Sequence, residues 1–191
     1  MTKRKLVYFV ASSVDGFIAG PDGADPTGPG GFWPIADDYA QYIVAEYPET
    51  LPGPARQALG VTAPGTRFDT VLEGRHSYEV GLKAGFTDAY PHLRHIVFSR
   101  TLSASLDPAV QVVSGDPAAV VRELKNQEGK DIWLVGGGAL AGSLYRDRGG
   151  QDGDAARRGS GSAVGHRCGQ HRERPPRVGA VLAGMVPRAR P

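Results

Sequence analysis

The sequence predicts an α/β fold with a largely parallel central sheet and flanking helices. Short β-rich runs alternate along the chain with segments that have helical patterns, which is typical of strands joined by crossover helices. Polar or glycine-rich residues follow directly after several of these runs. The 191 residues, of which 40% are hydrophobic, suffice for one domain with a substantial core.

Five short apolar runs are predicted to form the strands of this sheet. They span residues 6–12, 68–72, 94–98, 110–113 and 132–135. The first run follows a basic start, as a signal peptide would, but it ends at an Asp-Gly turn without a small-residue cleavage site, so we expect a strand there. No apolar run reaches the roughly 18 residues that a membrane span requires, and no membrane partner is expected.

Two helices are predicted from their start signals. Residues 37–47 place two aspartates in the first turn and three large side chains on one face. Residues 116–125 open with Asp116 as the N-cap and Pro117 at the first helical position. The glycines and prolines of residues 13–34 predict a long loop, and such loops are often functional.

The glycine run Gly136-Gly137-Gly138 follows the last predicted strand and opens a helical segment. Glycine lets the backbone approach a ligand closely, and a helix N-terminus offers free N–H groups and a positive dipole end. With Ala139 and Leu140, this motif suits a pyrophosphate. The alternative is a tight strand-to-helix turn without a ligand, because the motif is neither Gly-x-Gly-x-x-Gly nor a Walker loop.

Two further motifs follow strands and contain a guanidinium beside a hydroxyl. In the first, Gly74 permits close approach, and Arg75 and Ser77 suit phosphate oxygens, although a plain helix start with a surface arginine is the alternative. In the second, Ser99 and Arg100, followed by a threonine, suit a phosphate monoester, although a solvated turn has the same composition. Ligands of open α/β sheets gather beyond the carboxyl ends of strands, so these positions favour a joint site.

The first strand leads into an acidic turn and a short apolar stretch. The small residues Ala11 and Ala19, together with Ile18, leave room for a flat ring against the backbone. Asp15 suits three roles, which are a proton relay, a hydrogen-bond acceptor for a substrate, or a cap of its own turn.

Residues 4–145 resemble the dihydrofolate reductase superfamily. The resemblance is carried by four stretches in the order of the family, which are KLVYFVASSVDGFIA, VLEGRHSYEV, HIVFSRTL and DIWLVGGGALAGSLY. They are most similar to the branch that includes the reductase domain of the riboflavin-biosynthesis deaminase–reductase and its stand-alone bacterial relatives. The resemblance implies a dihydrofolate reductase-like sheet, NADPH as cofactor, and hydride transfer to a pterin-like or pyrimidine-like heterocycle.

The resemblance also implies roles for individual residues. By position it assigns Ala11, Ile18 and Ala19 to the nicotinamide, Gly74, Arg75 and Ser77 to the phosphates, Ser99 and Arg100 to the adenosine 2′-phosphate, and Gly137, Gly138, Ala139 and Leu140 to the pyrophosphate and nicotinamide side. The catalytic acid stays open among three carboxylates. Asp15 matches the Asp-Gly turn of the riboflavin branch, whereas Asp37 and Asp38 follow a Trp-Pro pair where classical dihydrofolate reductases have Pro-Trp.

The composition changes abruptly after Tyr145. Residues 146–191 contain ten arginines and four acidic residues, a net charge of +6, whereas residues 1–145 carry 12 basic and 16 acidic residues, a net charge of −4. Every Phe, Tyr, Trp and Ile lies at or before Tyr145. We therefore predict a nucleotide-binding domain over residues 1–145 and an arginine- and glycine-rich, disordered tail over residues 146–191.

This tail departs from the family, which continues with further strands where the tail shows no strand-like alternation. The C-terminal strands are therefore expected to be missing. A shifted reading frame near Tyr145 would produce such a change, and a genuine basic tail for nucleic acid or an acidic surface is the alternative. Nucleic-acid binding is the weaker interpretation because the tail lacks interleaved aromatic residues.

Cysteine usage adds two expectations. Cys168 is the single cysteine, so an internal disulfide is excluded and the reducing cytoplasm is the expected compartment. The neighbouring His166 and His171 match no standard zinc spacing, so no metal is expected.

The sequence therefore favours an NADPH-dependent oxidoreductase acting on a small-molecule substrate, with a homodimer compatible with the resemblance. Two other functions stay open. One is a nucleotide-binding module without catalysis, and the other is a nucleic-acid-associated protein that acts through its basic tail.

Overall fold

The computed structural model describes residues 3–13, 15–20, 23, 35–102, 104 and 106–151, with side chains up to residue 146. The strands are β1 (Leu6–Tyr8), β2 (Phe68–Gly74), β3 (Arg94–Phe98), β4 (Val110–Val113) and β5 (Asp131–Gly136). The helices are α1 (Asp37–Glu46), α2 (Gly53–Ala58), α3 (Arg75–Lys83), α4 (Pro117–Lys125) and α5 (Gly138–Gln151), and a short 3-10 turn spans Pro48–Thr50.

The five described strands form one sheet in the order β1-β5-β2-β3-β4, and every pairing is parallel. Parallel strands need crossover connections, which α3 supplies between the neighbours β2 and β3, and α4 supplies between β4 and β5, which are not neighbours in the sheet. The predicted α/β class with a largely parallel central sheet is confirmed. Because all strands run the same way, their carboxyl ends lie at a single edge.

Helices cover both faces of the sheet. Successive side chains of a strand point to opposite faces, so neighbouring residues pack against different helices. Ile96 packs on one face with Val121 of α4 and Leu144 of α5. Its chain neighbour Val97 packs on the opposite face with Tyr78 of α3. The helices that follow β2 and β5 therefore lie on opposite sides of the sheet.

The core on the α3 face is aromatic and connects β5 to the segment that follows β1. Trp133 is fully buried, and its indole N–H donates to the carbonyl of Phe9 at 2.8 Å. The rings of Tyr90 and Phe68 lie 5.1 and 6.2 Å from the Trp133 ring, and Phe9 stacks on Tyr47 at 4.6 Å. These contacts fix where the chain leaves β1.

The predicted elements are confirmed with shifted ends. The first strand is shorter than expected and ends at Tyr8, whereas β2 continues to Gly74 and so reaches the predicted phosphate motif. Asp116 caps α4 as predicted, because its carboxylate accepts from the backbone N–H groups of Ala118 at 3.0 Å and Ala119 at 3.2 Å. Helix α2 lies in a segment for which the sequence predicted no helix.

The last described helix, α5, continues to Gln151, beyond the predicted domain boundary after residue 145. The predicted disorder of residues 152–191, and the interpretations of Cys168 and its neighbours, lie outside the described residues, as does most of the predicted loop before residue 35. Within the described part of the chain, none of the helices is both long and apolar enough to cross a membrane.

Candidate nucleotide-binding site

A topological switch point lies at the carboxyl edge of the sheet between β2 and β5, and the space beyond these two strand ends is called the crevice below. These strands are neighbours, yet β2 leads into α3 on one face and β5 leads into α5 on the other. Such a reversal leaves the two following helices apart, and ligands of open α/β sheets bind in the gap. The topology therefore places two of the sequence-predicted motifs, at Gly74 and Gly137, on facing sides of one crevice.

The glycines at this edge of the sheet differ in how closely other groups approach them. A Cβ atom on Gly136 would lie 2.8 Å from the Ser77 Oγ, closer than side chains tolerate. A Cβ on Gly74 would lie 3.9 Å from the backbone nitrogen of Gly137, whereas one on Gly138 would meet nothing within 4 Å. The glycines thus bring α3 against β5 and leave the start of α5 open to an approaching ligand.

Two helix N-termini border the crevice. Helix α3 has Gly74 as its N-cap, which provides no side-chain cap, and no acidic residue lies in its first turn. The first turn of α5 also lacks acidic residues. Free N–H groups and the positive ends of two helix dipoles attract an anion at this point.

Arg75 adds a cation to the start of α3. Its guanidinium donates to the Thr101 hydroxyl at 2.9 Å and lies 3.4 Å from the Glu79 carboxylate one turn along the helix. The side chain spans from α3 to the segment after β3, so it joins the second and third sequence motifs. Because Arg75 is 40% exposed, it can reach an incoming phosphate without a costly rearrangement.

Ser99 and Arg100 lie at the end of β3, as predicted, but they face different surroundings. Ser99 is buried, and its hydroxyl oxygen accepts from the backbone N–H groups of Thr101 at 3.2 Å and Leu102 at 2.9 Å. This geometry stabilises the turn after β3. Arg100 is exposed at the same edge, where its guanidinium is accessible to a phosphate.

Asp15 lies in a tight turn downstream of β1, in which the Gly16 backbone N–H donates to the Ser13 carbonyl at 2.9 Å. The Ser13 hydroxyl donates to the Asp15 carboxylate and accepts from the Phe17 backbone N–H at 2.9 Å. Asp15 is exposed, whereas Ala11, Ile18 and Ala19 are half-buried. The Asp15 carboxylate thus supports the turn through the Ser13 hydroxyl, and the three alternatives for its role stay open.

Asp37 and Asp38 are both exposed and occupy the first turn of α1. The Asp38 carboxylate accepts from the Tyr39 backbone N–H at 2.8 Å. Acidic groups stabilise a helix N-terminus by interacting with its dipole, so both residues have a structural role at the start of α1.

Sequence reasoning missed a buried charged cluster beside the crevice. His95 on β3 is fully buried, and its Nε2 lies 2.7 Å from the Glu73 carboxylate while its Nδ1 lies 2.8 Å from the Asp88 carboxylate. We call these three residues the imidazole clamp. The available signal was Glu73, a carboxylate inside an otherwise apolar strand and directly before Gly74.

The clamp shifts the pKa values of its members. Burial alone would lower the pKa of His95, but the hydrogen bonds and charges of Asp88 and Glu73 raise it to about 9. Burial raises the pKa of Glu73 against the opposing effect of His95. Burial also acts to raise the pKa of Asp88, but hydrogen bonds from His95 and the Tyr90 N–H lower it overall.

The clamp does not have the geometry of a metal site, since its carboxylates contact opposite ring nitrogens and do not converge on one point. Across the described residues, no group of three or more His, Cys, Asp or Glu side chains is arranged to hold a metal ion.

Comparisons with known proteins bear on the family of this chain. Residues 4–149 match the model of the RibD C-terminal domain. Among solved structures, the chain is similar to a diaminohydroxyphosphoribosylaminopyrimidine deaminase/5-amino-6-(5-phosphoribosylamino)uracil reductase from Thermotoga maritima, with 15% identity and a TM-score of 0.44. That match covers 76% of this chain and 42% of the other, and no curated protein matches. The family model spans well over half of the sequence, and the chain therefore belongs to the RibD C-terminal domain family.

Proposed function

We propose that this protein is an NADPH-dependent reductase that transfers hydride to a heterocyclic small molecule of the pyrimidine or pterin type. Membership of the RibD C-terminal domain family supports a reductase, because that family resembles the reductase part of the riboflavin-biosynthesis deaminase–reductase. The crevice between β2 and β5 is the proposed cofactor site.

The observation that carries the proposal is the pair of helix N-termini facing one glycine-lined crevice. A dinucleotide carries a pyrophosphate with two negative charges, and such a group is stabilised where backbone N–H groups converge. The absence of acidic residues from both first turns removes the repulsion that an anion would meet. Gly137 and Gly138 leave the backbone accessible to it.

Arginine side chains supply the proposed preference for NADPH over NADH. Arg100 is exposed at the end of β3, and Arg75 is anchored nearby through the Thr101 hydroxyl. The adenosine 2′-phosphate of NADPH adds a further dianion, which guanidinium groups bind through paired N–H donors. NADH lacks that group and would gain nothing from Arg100, whereas Arg75 would also serve the pyrophosphate that both nucleotides carry.

When bound, NADPH would supply the hydride, and this chain's residues would position the reactants and supply a proton. The small side chains of Ala11 and Ala19 would leave space for a flat ring, and Ile18 would offer it an apolar contact. Asp15 is the proposed carboxylate on that side, with Asp37 and Asp38 as the alternatives.

The experiment is a thermal melt of the full chain with NADPH, with NADH and without nucleotide. We expect NADPH at about 100 times its Kd to raise the Tm by roughly 5–10 °C, because a ligand of the native state stabilises it by mass action. Arg100→Ala should remove the difference between the two nucleotides. Arg94→Ala is the matched control, since Arg94 lies at the opposite end of β3 and donates to Gln127 at 3.0 Å.

If the chain melts cooperatively and neither nucleotide changes its Tm, the result contradicts the proposed cofactor site. NADPH oxidation with aminopyrimidine and pterin substrates then separates a reductase from a nucleotide-binding module, because the module binds the cofactor without consuming it.

A further inference from the structure

The imidazole clamp has an unusual hydrogen-bond requirement. Both ring nitrogens of His95 face a carboxylate oxygen, and an ionised carboxylate only accepts. A neutral imidazole has one N–H, so it satisfies only one of the two contacts. The imidazolium has two N–H groups and satisfies both, so it is the form of His95 that matches two ionised carboxylates.

The clamp connects three parts of the chain that support the crevice. Glu73 belongs to β2 and directly precedes Gly74, the N-cap of α3. His95 belongs to β3, and Asp88 lies in the connection between α3 and β3. Helix α3 is also held to this connection by a hydrogen bond, because the Tyr78 hydroxyl donates to the carbonyl of Thr87, the residue before Asp88, at 2.8 Å.

We propose that the His95 imidazolium, by bridging Glu73 and Asp88, is a positioning residue that holds Gly74 and the N-terminus of α3 in the arrangement that binds the anionic part of NADPH. This inference rests on the proposed function, because it assigns a task to residues beneath the same crevice. None of the three clamp residues touches the cofactor in this proposal; they act through the backbone of Gly74.

Aromatic and imidazole side chains from the neighbouring elements complete the surroundings of His95. From α3, the Tyr78 ring faces His95 edge-on at 6.0 Å, and burial raises the pKa of Tyr78. From the connection before β3, the Tyr90 ring lies at 5.7 Å, and His92 acts on the Asp88 charge. The pKa of His92 is lowered, first by burial, so His92 is neutral at alkaline pH.

Loss of the His95 proton would open the clamp. One ring nitrogen would then present its lone pair to a buried carboxylate that has lost its donor, and an unsatisfied buried charge is costly. Because the pKa of His95 is about 9, the clamp is closed at pH 7.5 and mostly open at pH 10. The nucleotide phosphates are fully ionised over this whole interval, so their own titration does not interfere.

Glu73→Gln removes the negative charge at this position but retains a hydrogen bond to the His95 ring. A glutamine amide accepts a hydrogen bond from the imidazolium through its oxygen and donates one to neutral imidazole through its nitrogen. The variant clamp therefore stays connected in both protonation states of His95. Asp88→Asn follows the same logic on the other side of the ring and serves as a second variant if Glu73→Gln fails to fold.

The test measures the Kd for NADPH at pH 7.5 and at pH 10, on the full chain at a temperature where melting shows it folded. In the unaltered protein we expect the Kd to rise by about fivefold or more, the lower end of typical coupling between two sites. In Glu73→Gln we expect a change of less than about twofold. His92→Gln, outside the clamp, should retain the full pH dependence of the unaltered protein.

Three results would overturn the proposal. The first is a Kd that stays constant with pH while the Tm falls, because the clamp would then support folding without positioning the site. The second is an equal rise of the Kd in the unaltered protein and in Glu73→Gln, because another group would then titrate. The third concerns the protection of the amides of residues 74–78 from hydrogen exchange, measured without nucleotide and relative to an unfolded chain at the same pH. If this protection changes with pH equally in the unaltered protein and in Glu73→Gln, the proposal fails.

The exchange measurement also separates this proposal from the proposed function. If the folded chain does not bind NADPH at either pH, the proposed cofactor is contradicted, whereas the proposal for the clamp is not yet decided. The clamp is then supported or overturned by whether residues 74–78 lose protection between pH 7.5 and pH 10 in the unaltered protein and retain it in Glu73→Gln.

Discussion

Gly136 shows how one missing side chain builds the candidate site. Its backbone lies against the Ser77 hydroxyl, and a Cβ at this position would lie 2.8 Å from the Ser77 Oγ and force that hydroxyl to rotate away. A Cβ on the nearby Gly138 would meet nothing within 4 Å. The two glycines therefore have different structural roles. Gly136 serves packing between elements, whereas Gly138 leaves room for a ligand.

Gly136→Ala should therefore damage the crevice directly. The added methyl group would meet the Ser77 Oγ at 2.8 Å and force that hydroxyl into another rotamer, which we expect to cost about 1 kcal/mol of unfolding free energy, the lower end for overpacking, and to reduce the Tm increase caused by NADPH. Urea denaturation and thermal melts with and without NADPH measure the two effects. Gly115→Ala is the control, since a Cβ there meets nothing within 4 Å; equal effects of both variants would contradict the packing argument.

Among the secondary-structure elements, α4 is specified most completely by its own sequence. Asp116 accepts two backbone hydrogen bonds, Pro117 occupies the first turn, and Val121 and Leu124 are buried against the sheet. Helix α3 has the opposite character at its start, because Gly74 leaves its N–H groups without a side-chain cap. An uncapped start costs stability in an isolated helix but keeps those groups available to an anion.

Asp116→Ala should lower the free energy of unfolding by about 1 kcal/mol, because the N–H groups of Ala118 and Ala119 lose their acceptor. Asp116→Asn is the matched control, since asparagine caps helices about as well as aspartate does. Urea denaturation at neutral pH measures both variants. A comparable loss in Asp116→Asn would show that the charge, with Arg122 at 3.6 Å, matters more than the cap.

At the scale of the whole molecule, the parallel sheet brings the carboxyl ends of the described strands to a single edge, and a buried charge cluster lies near that edge. The clamp links β2, β3 and the connection between them, so its protonation state affects the stability of the folded chain. The pKa of His95 is about 9 in the folded state and near 6.5 when unfolded, so folding retains a proton over that interval.

The stabilisation from His95 is fully present below pH 6.5 and is lost as the pH rises through about 9. We therefore expect the free energy of unfolding to fall between these values, with a slope approaching about 1.4 kcal/mol per pH unit for one proton. The raised pKa of Glu73 acts in the same sense at lower pH, whereas the lowered pKa of Asp88 contributes stability that is lost only on acidification.

Urea denaturation from pH 6 to pH 9 measures this slope. Glu73→Gln should flatten it, because the amide no longer raises the pKa of His95 by its charge. A slope that is unchanged in Glu73→Gln would show that the titrating group lies elsewhere.

The sequence by itself determined the class of the fold, four of the five strands nearly to their ends, and the capped start of α4. It also indicated Gly74, Arg75 and the run Gly136–Gly138, because hydrophobic period, capping and glycine chemistry are local properties. The tertiary structure decided which motifs meet, since only the strand order places β2 beside β5 and sends their helices to opposite faces. It alone revealed the clamp, whose residues 73, 88 and 95 are separated along the chain and whose chemistry arises only when folding buries an imidazole between two carboxylates.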